Sequence, residues 1–364
     1  MQHEITERHA LLDDKGGLTE PGYARSLILD YDRAAIKANS FRIKEWDYYL
    51  ITCDDFAVAL TVADNSYMGL DSISLLNFSE NWEITTSPMQ VMTRGKKNLP
   101  PTSDAGDTVS RGKGFELCFY HGGDHRILKF SMDKFFKGKA IKGEIRLENP
   151  AQDTMVIATP YKEDPKAFYY NQKIIAMPAT GWVEFDDKRY EFPEGQSFGL
   201  LDWGRGVWTY KNTWFWGAAQ GMVDGHRVGW NIGYGFGDTS AASENMLFVD
   251  GVCHKLSQVT FNIPTRPKCY RTRGGCCMPS GKEVETMARE DDFMSPWTFT
   301  SDDGRFEMDF EPIMDRFSKT DLKLICSDQH QVFGKYTGRA VMDDGTVVEV
   351  KDFLGFAEKV YNKW

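Results

Sequence analysis

Asp-Gly steps punctuate the C-terminal half of this chain: Asp224-Gly225, Asp250-Gly251, Asp303-Gly304 and Asp344-Gly345, each between short strand-like runs. A residue pair that tolerates positive φ is what a tight type I′ turn between antiparallel strands demands. The stretch from His121 to His125, with Gly122-Gly123 at its centre, reads as a longer turn of the same kind. Hairpins repeated in this way predict an antiparallel meander. No alternation of strand and helix patterns appears, which disfavours a doubly wound α/β fold.

The N-terminal half follows the same grammar. Runs 46–52, 56–63, 67–78, 115–120, 126–132 and 141–147 read as strands, and Leu99 to Gly114 as a long polar loop. Helix is scarce: Asp32 to Ala38 suggests two turns, and Asp352 to Asn362 a short closing helix with Asp352 near its N-cap. The chain's 364 residues suit two β units better than one. Pro160 and Pro165, each biasing its predecessor toward extended backbone, mark a division between them. The expectation is therefore a mostly β protein of two packed antiparallel units, barrel or sandwich, with few short helices: an N-terminal unit over 1–160, and a C-terminal barrel over 161–364.

Charge and cysteine usage narrow the function classes. A net charge of −10 repels a phosphate backbone, so no nucleic-acid partner is expected. The basic residues Arg94, Lys96, Lys97, Arg111 and Lys113 read as a solvated loop. No apolar run approaches the ~20 residues of a membrane span, and the polar first dozen residues carry no secretory pattern. The seven cysteines (53, 118, 253, 269, 276, 277 and 326) are odd in number and scattered. Free thiols in the cytoplasm fit that pattern, the vicinal Cys276-Cys277 included. No metal-ligand spacing, P-loop or nucleophile elbow occurs, so neither metal nor cofactor is expected.

The densest chemistry lies between Gly199 and Glu244. Asp202 and Arg205 sit among glycines and Trp203, Trp208 and Tyr210; Trp214 and Trp216 follow; then come Tyr234, Asp238 and Glu244. A carboxylate against an aromatic wall is a candidate for a raised pKa and general-acid work, although an Arg205 ion pair with Asp202 or Asp238 that merely pins a turn is the plainer reading. Gly233, Gly235 and Gly237 would share one face of a strand, bare for a ring of Trp214 or Trp216, or for a ligand. Further on, Arg305, Glu307, Asp309 and Glu311 alternate with Phe306, Met308 and Phe310. Water is the ordinary destination of such charges; inside a barrel lumen they would form a recognition site. His330 is the histidine placed to join it.

Several segments resemble one family. The runs 201–208 (LDWGRGVW), 231–248 (NIGYGFGDTSAASENMLF), 305–316 (RFEMDFEPIMDR), 329–334 (QHQVFG) and 355–364 (GFAEKVYNKW) look like the proteins grouped as domain of unknown function 2804, as do 3–8, 22–25 and 43–49. The resemblance implies a calycin-like, lipocalin-type fold, distantly similar to carotenoid hydratase and tocopherol cyclase proteins, whose catalytic residues do not map onto positions here. It raises the expectation of a pocket for a small apolar ligand. The leading reading is a cofactor-independent hydratase, cyclase or isomerase. Asp202, Asp238 or Glu307 would exchange the proton, Arg205 would hold a carboxylate charged, and Trp203, Trp208, Trp214 and Trp216 would wall a developing cation. Tyr210, Tyr234, Glu244, Arg305 and Asp309 would contact the ligand. A non-catalytic binding protein and a carbohydrate-processing enzyme with tryptophan platforms are the alternatives.

Overall fold

The computed structural model describes residues 2–268, 271–272, 275–276, 288–321 and 325–364. It is built almost wholly of antiparallel strands in two large sheets. The first contains β1 (Ile43–Thr52), β2 (Phe56–Asp64), β3 (Met68–Asn77), β4 (Trp82–Thr86), β5 (Thr108–Gly112), β6 (Phe115–His121), β7 (His125–Phe136), β8 (Lys139–Glu148), β9 (Met155–Tyr161), β10 (Asp164–Phe185), β11 (Lys188–Phe192) and β12 (Phe198–Val207). Its main order is β4-β3-β2-β1-β12-β10-β8-β7-β6-β5. The sheet curls until Thr86 Oγ1 donates to the Phe135 carbonyl, bringing β4 against β7.

After Val207 the chain passes into the second sheet. Its strands are β13 (Lys211–Val223), β14 (His226–Tyr234), β15 (Met246–Val249), β16 (Val252–Lys255), β17 (Val259–Asn262), β18 (Trp297–Ser301), β19 (Phe306–Asp321), β20 (Cys326–Val341) and β21 (Val347–Lys363). Their order is β16-β15-β14-β13-β21-β20-β19-β18-β17. This sheet folds over a solid aromatic core that includes Trp230, Trp297, Phe299, Phe310 and Tyr336. Phe306, Met308 and Phe310 point into that core, while Asp309 and Glu311 face water. The charged face of β19 does not line a lumen, because the inner positions are filled by rings.

The Asp-Gly steps lie in hairpins as expected, in two forms. Asp224-Gly225 and Asp250-Gly251 are two-residue turns with both φ positive, whereas at 303–304 and 344–345 only the glycine is. Lys137-Gly138 and Asp186-Asp187 make further positive-φ turns that lack the Asp-Gly signature. Pro160 and Pro165 flank the β9–β10 hairpin.

Other expectations are corrected. Residues 352–362 are not a helix: β21 pairs with β13 on one side and β20 on the other, and two full hydrogen-bonded ladders outweigh helical propensity. Asp352, at φ +53, sits at a register break with β20. Residues 32–38 give one 3₁₀ turn, Arg33–Ala35, capped by Asp32 accepting from Ala34 N. The stretch 99–114 is not simply a polar loop, since it contains β5, and Leu99, Ser103, Thr108 and Ser110 are buried. Lys97 is not solvated but lies in a buried pair 2.7 Å from Asp71. Strand β14 ends at Tyr234, so the 233–237 glycines share no strand face; Gly235 and Gly237 take positive φ. Cys53, Cys118, Cys253 and Cys326 are free thiols, while Cys269, Cys277 and the side chain of Cys276 lie outside the described residues.

Candidate active site between the two sheets

Cross-strand register assembles two polar rows that face each other. On the first sheet Lys173 (β10), Asp202 (β12) and Tyr48 (β1) are direct neighbours. On the second, Trp216 (β13), Glu358 (β21), Gln331 (β20) and Arg316 (β19) are neighbours in the same way, with Gly233 (β14) beyond Trp216. In a strand only alternate residues share a face, so each row is a product of pairing rather than of sequence proximity. Tyr48 and Trp216 bring the rows together edge to face, with ring centroids 5.9 Å apart.

Lys173 Nζ lies 2.7 Å from Asp202 Oδ1, and Asn171 Nδ2 donates to the same oxygen at 2.6 Å. The ammonium also stands 3.9 Å above the Trp216 ring. Such an ion pair survives burial only because several partners compensate its desolvation. Across the gap, Trp214 Nε1 and Gln331 Nε2 donate to the two oxygens of Glu358 at 3.0 and 3.1 Å, and Arg316 Nη1 donates to Gln331 at 2.8 Å. Trp216 Nε1 donates to Asn231 Oδ1, whose amide donates to the Glu244 carbonyl.

Glu244 comes from the loop after β14, and its carboxyl packs on bare backbone: a Cβ at Gly233 would stand 2.5 Å from Oε1. Gly233 is therefore glycine to admit a carboxyl group, not a ring. Burial raises both Glu244 and Glu358 to about 7, Lys173 opposing that shift and Asp202 adding to it. Burial also lifts the Tyr48 hydroxyl to about 12 and Tyr169 well above the usual phenol range. The hydroxyls of Tyr48 and Tyr169, Asn171 Oδ1 and both Glu244 carboxyl oxygens are buried without a well-formed hydrogen bond. Buried polar atoms seldom stay unpaired, so such a concentration points to a functional site. Tyr48, Asp202, Gln331 and Glu358 keep 7–8% of their surface accessible, while Asn231 at 0% and Lys173 at 1% are sealed.

One end of the rows is aromatic. Tyr169 stacks on Phe236 with centroids 4.7 Å apart, Trp208 meets Trp214 at 5.3 Å, and Trp46 lies over Gly204, where a Cβ would fall 2.0 Å from the ring. Of these rings Trp46 and Trp214 are left half-exposed, the others being buried.

The structure gathers Asp202, Glu244, Trp208, Trp214 and Trp216 at this site and disperses the other candidates. Arg205 and Trp203 are on the opposite face of β12, where Arg205 pairs with Asp47 at 3.0 Å rather than with Asp202 or Asp238. Asp238 sits in a loop 3.4 Å from Lys162. Glu307 accepts from Ser301 N, Arg305 pairs with Asp343, and Asp309 is exposed. His330 is on the far face of β20, 2.7 Å from Asp315 and stacked on Phe293. Tyr234 stacks on Phe215, and Tyr210 lies at the surface under Arg42. Tyr48, Lys173, Gln331 and Glu358 went unread. Each stands among other polar residues of its strand, Lys173 after Asn171-Gln172, Gln331 after Asp328 to His330 and Glu358 before Lys359, and only pairing across strands singles it out.

The family model described as Domain of unknown function (DUF2804) matches residues 2–364. No curated protein matches in sequence. Among solved structures, CghA is similar at TM-score 0.50 and 13% identity, with 98% of this chain and 97% of that chain covered. A Nitrosomonas europaea protein proposed to be an AttH is similar at TM-score 0.50 and 11% identity, covering 91% and 96%. Kievitone hydratase from Nectria haematococca follows at 0.46 and 10%, covering 98% of each chain. At such identities the likeness speaks to the fold alone. Among the described residues no helix is long and apolar enough to cross a membrane.

Proposed function

This chain belongs to the family described as domain of unknown function DUF2804, and on that footing we propose that it is a cofactor-independent acid/base enzyme acting on a small apolar molecule between its two β units. The observation that carries the reading is a pair of carboxyls, Glu244 and Glu358, held near neutrality at about 7 beside the Lys173–Asp202 ion pair. General acids work best with a pKa near the working pH, and carboxyls of separated character define acid and base roles.

In this reading protonated Glu358 donates its proton to a carbon or oxygen of the substrate. Positive charge developing there is met by the half-exposed Trp214 and the Tyr169–Phe236 stack, because Lys173 already occupies the Trp216 face. Asp202, paired with Lys173, or ionised Glu244 takes the proton released by water or by the adjacent carbon. Tyr48, donating from its hydroxyl, orients the polar end of the substrate. Trp208 and Trp216 are buried, and Trp208 meets the half-exposed Trp214 edge to face, an arrangement that offers no row of open ring faces and so argues against carbohydrate processing.

The test is to extract whatever co-purifies with the protein and return it to fresh protein in deuterated water. Deuterium incorporated by wild type and lost in Glu358→Gln supports the enzyme. Tight binding with no exchange or conversion in either protein overturns it in favour of a carrier.

A further inference from the structure

The opposite faces of β1 and β12 enclose a second polar interior, inside the curl of the first sheet. A cavity of about 10 Å³ lies there, reached by Asp47, Tyr49, His121, Arg126 and Trp203 and closed by segment 99–108. That volume suits one water-sized group, such as a single carboxylate oxygen.

Two guanidiniums are sealed around it, Arg205 at 0% and Arg126 at 4% exposure. Arg205 is matched by Asp47. Arg126 donates only to neutral oxygens, Tyr49 Oη at 3.3 Å and the Ser103 carbonyl at 2.9 Å, and among the described residues no carboxylate lies within ion-pair distance of it. Buried cations are normally paired, so Arg126 stands beside the cavity as a locally unmatched positive charge. Its donors are also in surplus: Arg126 Nε, Arg205 Nε and Trp203 Nε1 are buried with no acceptor.

The segment over the cavity is held by the same two residues. Arg205 Nη2 donates to the Pro100 carbonyl at 2.7 Å and Arg126 Nη2 to that of Ser103, while the Ser103 hydroxyl bonds Gln172 and that of Thr108 bonds Asp47. Between these anchors Asp104 to Asp107 are exposed. Two backbone carbonyls thus occupy the forks that match a carboxylate's geometry. Beside the polar side chains of Thr102, Ser103, Thr108 and His121, the wall includes Leu201 and the rings of Tyr49 and Phe119, in edge contact at 4.9 Å.

We propose that the interior of the first sheet is a second binding site, for the carboxylate of a small apolar acid, and that segment 99–108 is the strap displaced to admit it. One unmatched charge and one oxygen-sized cavity favour a monoanion over a phosphate.

Thermal unfolding and amide exchange of the full chain with butanoate, octanoate, octanol and sodium chloride test this. Octanoate is expected to raise the melting temperature and to change exchange within 99–108, with butanoate weaker and octanol and chloride inert. Arg126→Gln is expected to weaken the octanoate effect at least tenfold, while Glu358→Gln in the other site leaves it unchanged. An equal shift with chloride means an adventitious ion only and overturns the proposal. So does an equal shift with octanol, no shift with either acid, or unaltered exchange in 99–108. Should Arg126→Gln not fold, Arg126→Lys, which keeps the charge but loses the fork, must still weaken octanoate.

Discussion

Glu358 shows how a single group carries both stability and chemistry. Its pKa is about 7 in the folded chain against about 4.3 for a free glutamate. Between those values the unfolded chain has released a proton that the folded chain retains. Stability from this group is therefore full below about pH 4 and is lost as pH rises toward 7, by an amount on the order of 3 kcal/mol. Glu358→Gln should flatten that decline and raise the melting temperature at pH 8, while abolishing activity; chemical denaturation at pH 5 and pH 8 measures the first effect. Wild-type activity should fall above pH 7 as the acid ionises. Gly233 is tested differently. Alanine there would press on Glu244 Oε1 at 2.5 Å and on the Phe215 carbonyl at 2.7 Å, costing roughly 1–3 kcal/mol and displacing the carboxyl. A Gly233→Ala protein with unchanged stability and activity would refute the account of that glycine. Asp202, Glu244 and the tryptophans were readable as candidates because polar and aromatic residues crowd the 199–244 stretch. Arg205 was misassigned because proximity along a strand says nothing across its two faces: positions 202 and 205 point opposite ways.

Strands were the legible elements. The six runs read in the N-terminal half fall on β1, β2, β3, β6, β7 and β8, overrunning only β3, by one residue at either end. One-sided burial stamps a period of two on β7 and β8, while β1, β2 and β3, buried on both faces, are legible as short β-branched and aromatic runs between turn residues. Elements buried on both sides lose that stamp, and β21 is the example. Leu354, Phe356, Glu358 and Val360 share a face, but Ala357 on the other is equally sealed, so the run looked helical. Ala357 pairs with Gly217 and Val332 at once. Ala357→Pro should therefore cost about 3 kcal/mol or more by breaking a central ladder, read as a drop in denaturation midpoint. At the hairpins the cost is purely conformational. Gly225 has φ +84, and a Cβ added there would meet nothing within 4 Å, so Gly225→Ala should lose about 1 kcal/mol with site chemistry intact.

At the scale of the molecule, the two sheets share one core. Leu50, Leu200 and Trp203 of the first belong to the same buried cluster as Trp216, Phe333 and Phe356 of the second. The N-terminal segment also crosses over: Gln2 and Arg25 bond the Leu256 and Cys253 carbonyls. Calorimetry should show a single cooperative transition rather than two; separate transitions would mean that the units are thermodynamically independent. We keep the division into two units as a proposal, noting that the chain changes sheet between Val207 and Lys211.

By itself the sequence determined that this protein is antiparallel β, where most strands run and where many of them turn, since those properties are local: residue alternation, turn chemistry and φ tolerance are written over a few consecutive positions. Only the tertiary structure decided which carboxyl meets which base. Lys173, Asp202, Tyr48 and Glu358 stand on four strands far apart in the chain, and their contact is set by register and by the stacking of one sheet on the other. The same stacking removes water from Glu244 and Glu358 and brings them to neutrality, an effect of burial that no short stretch of sequence encodes.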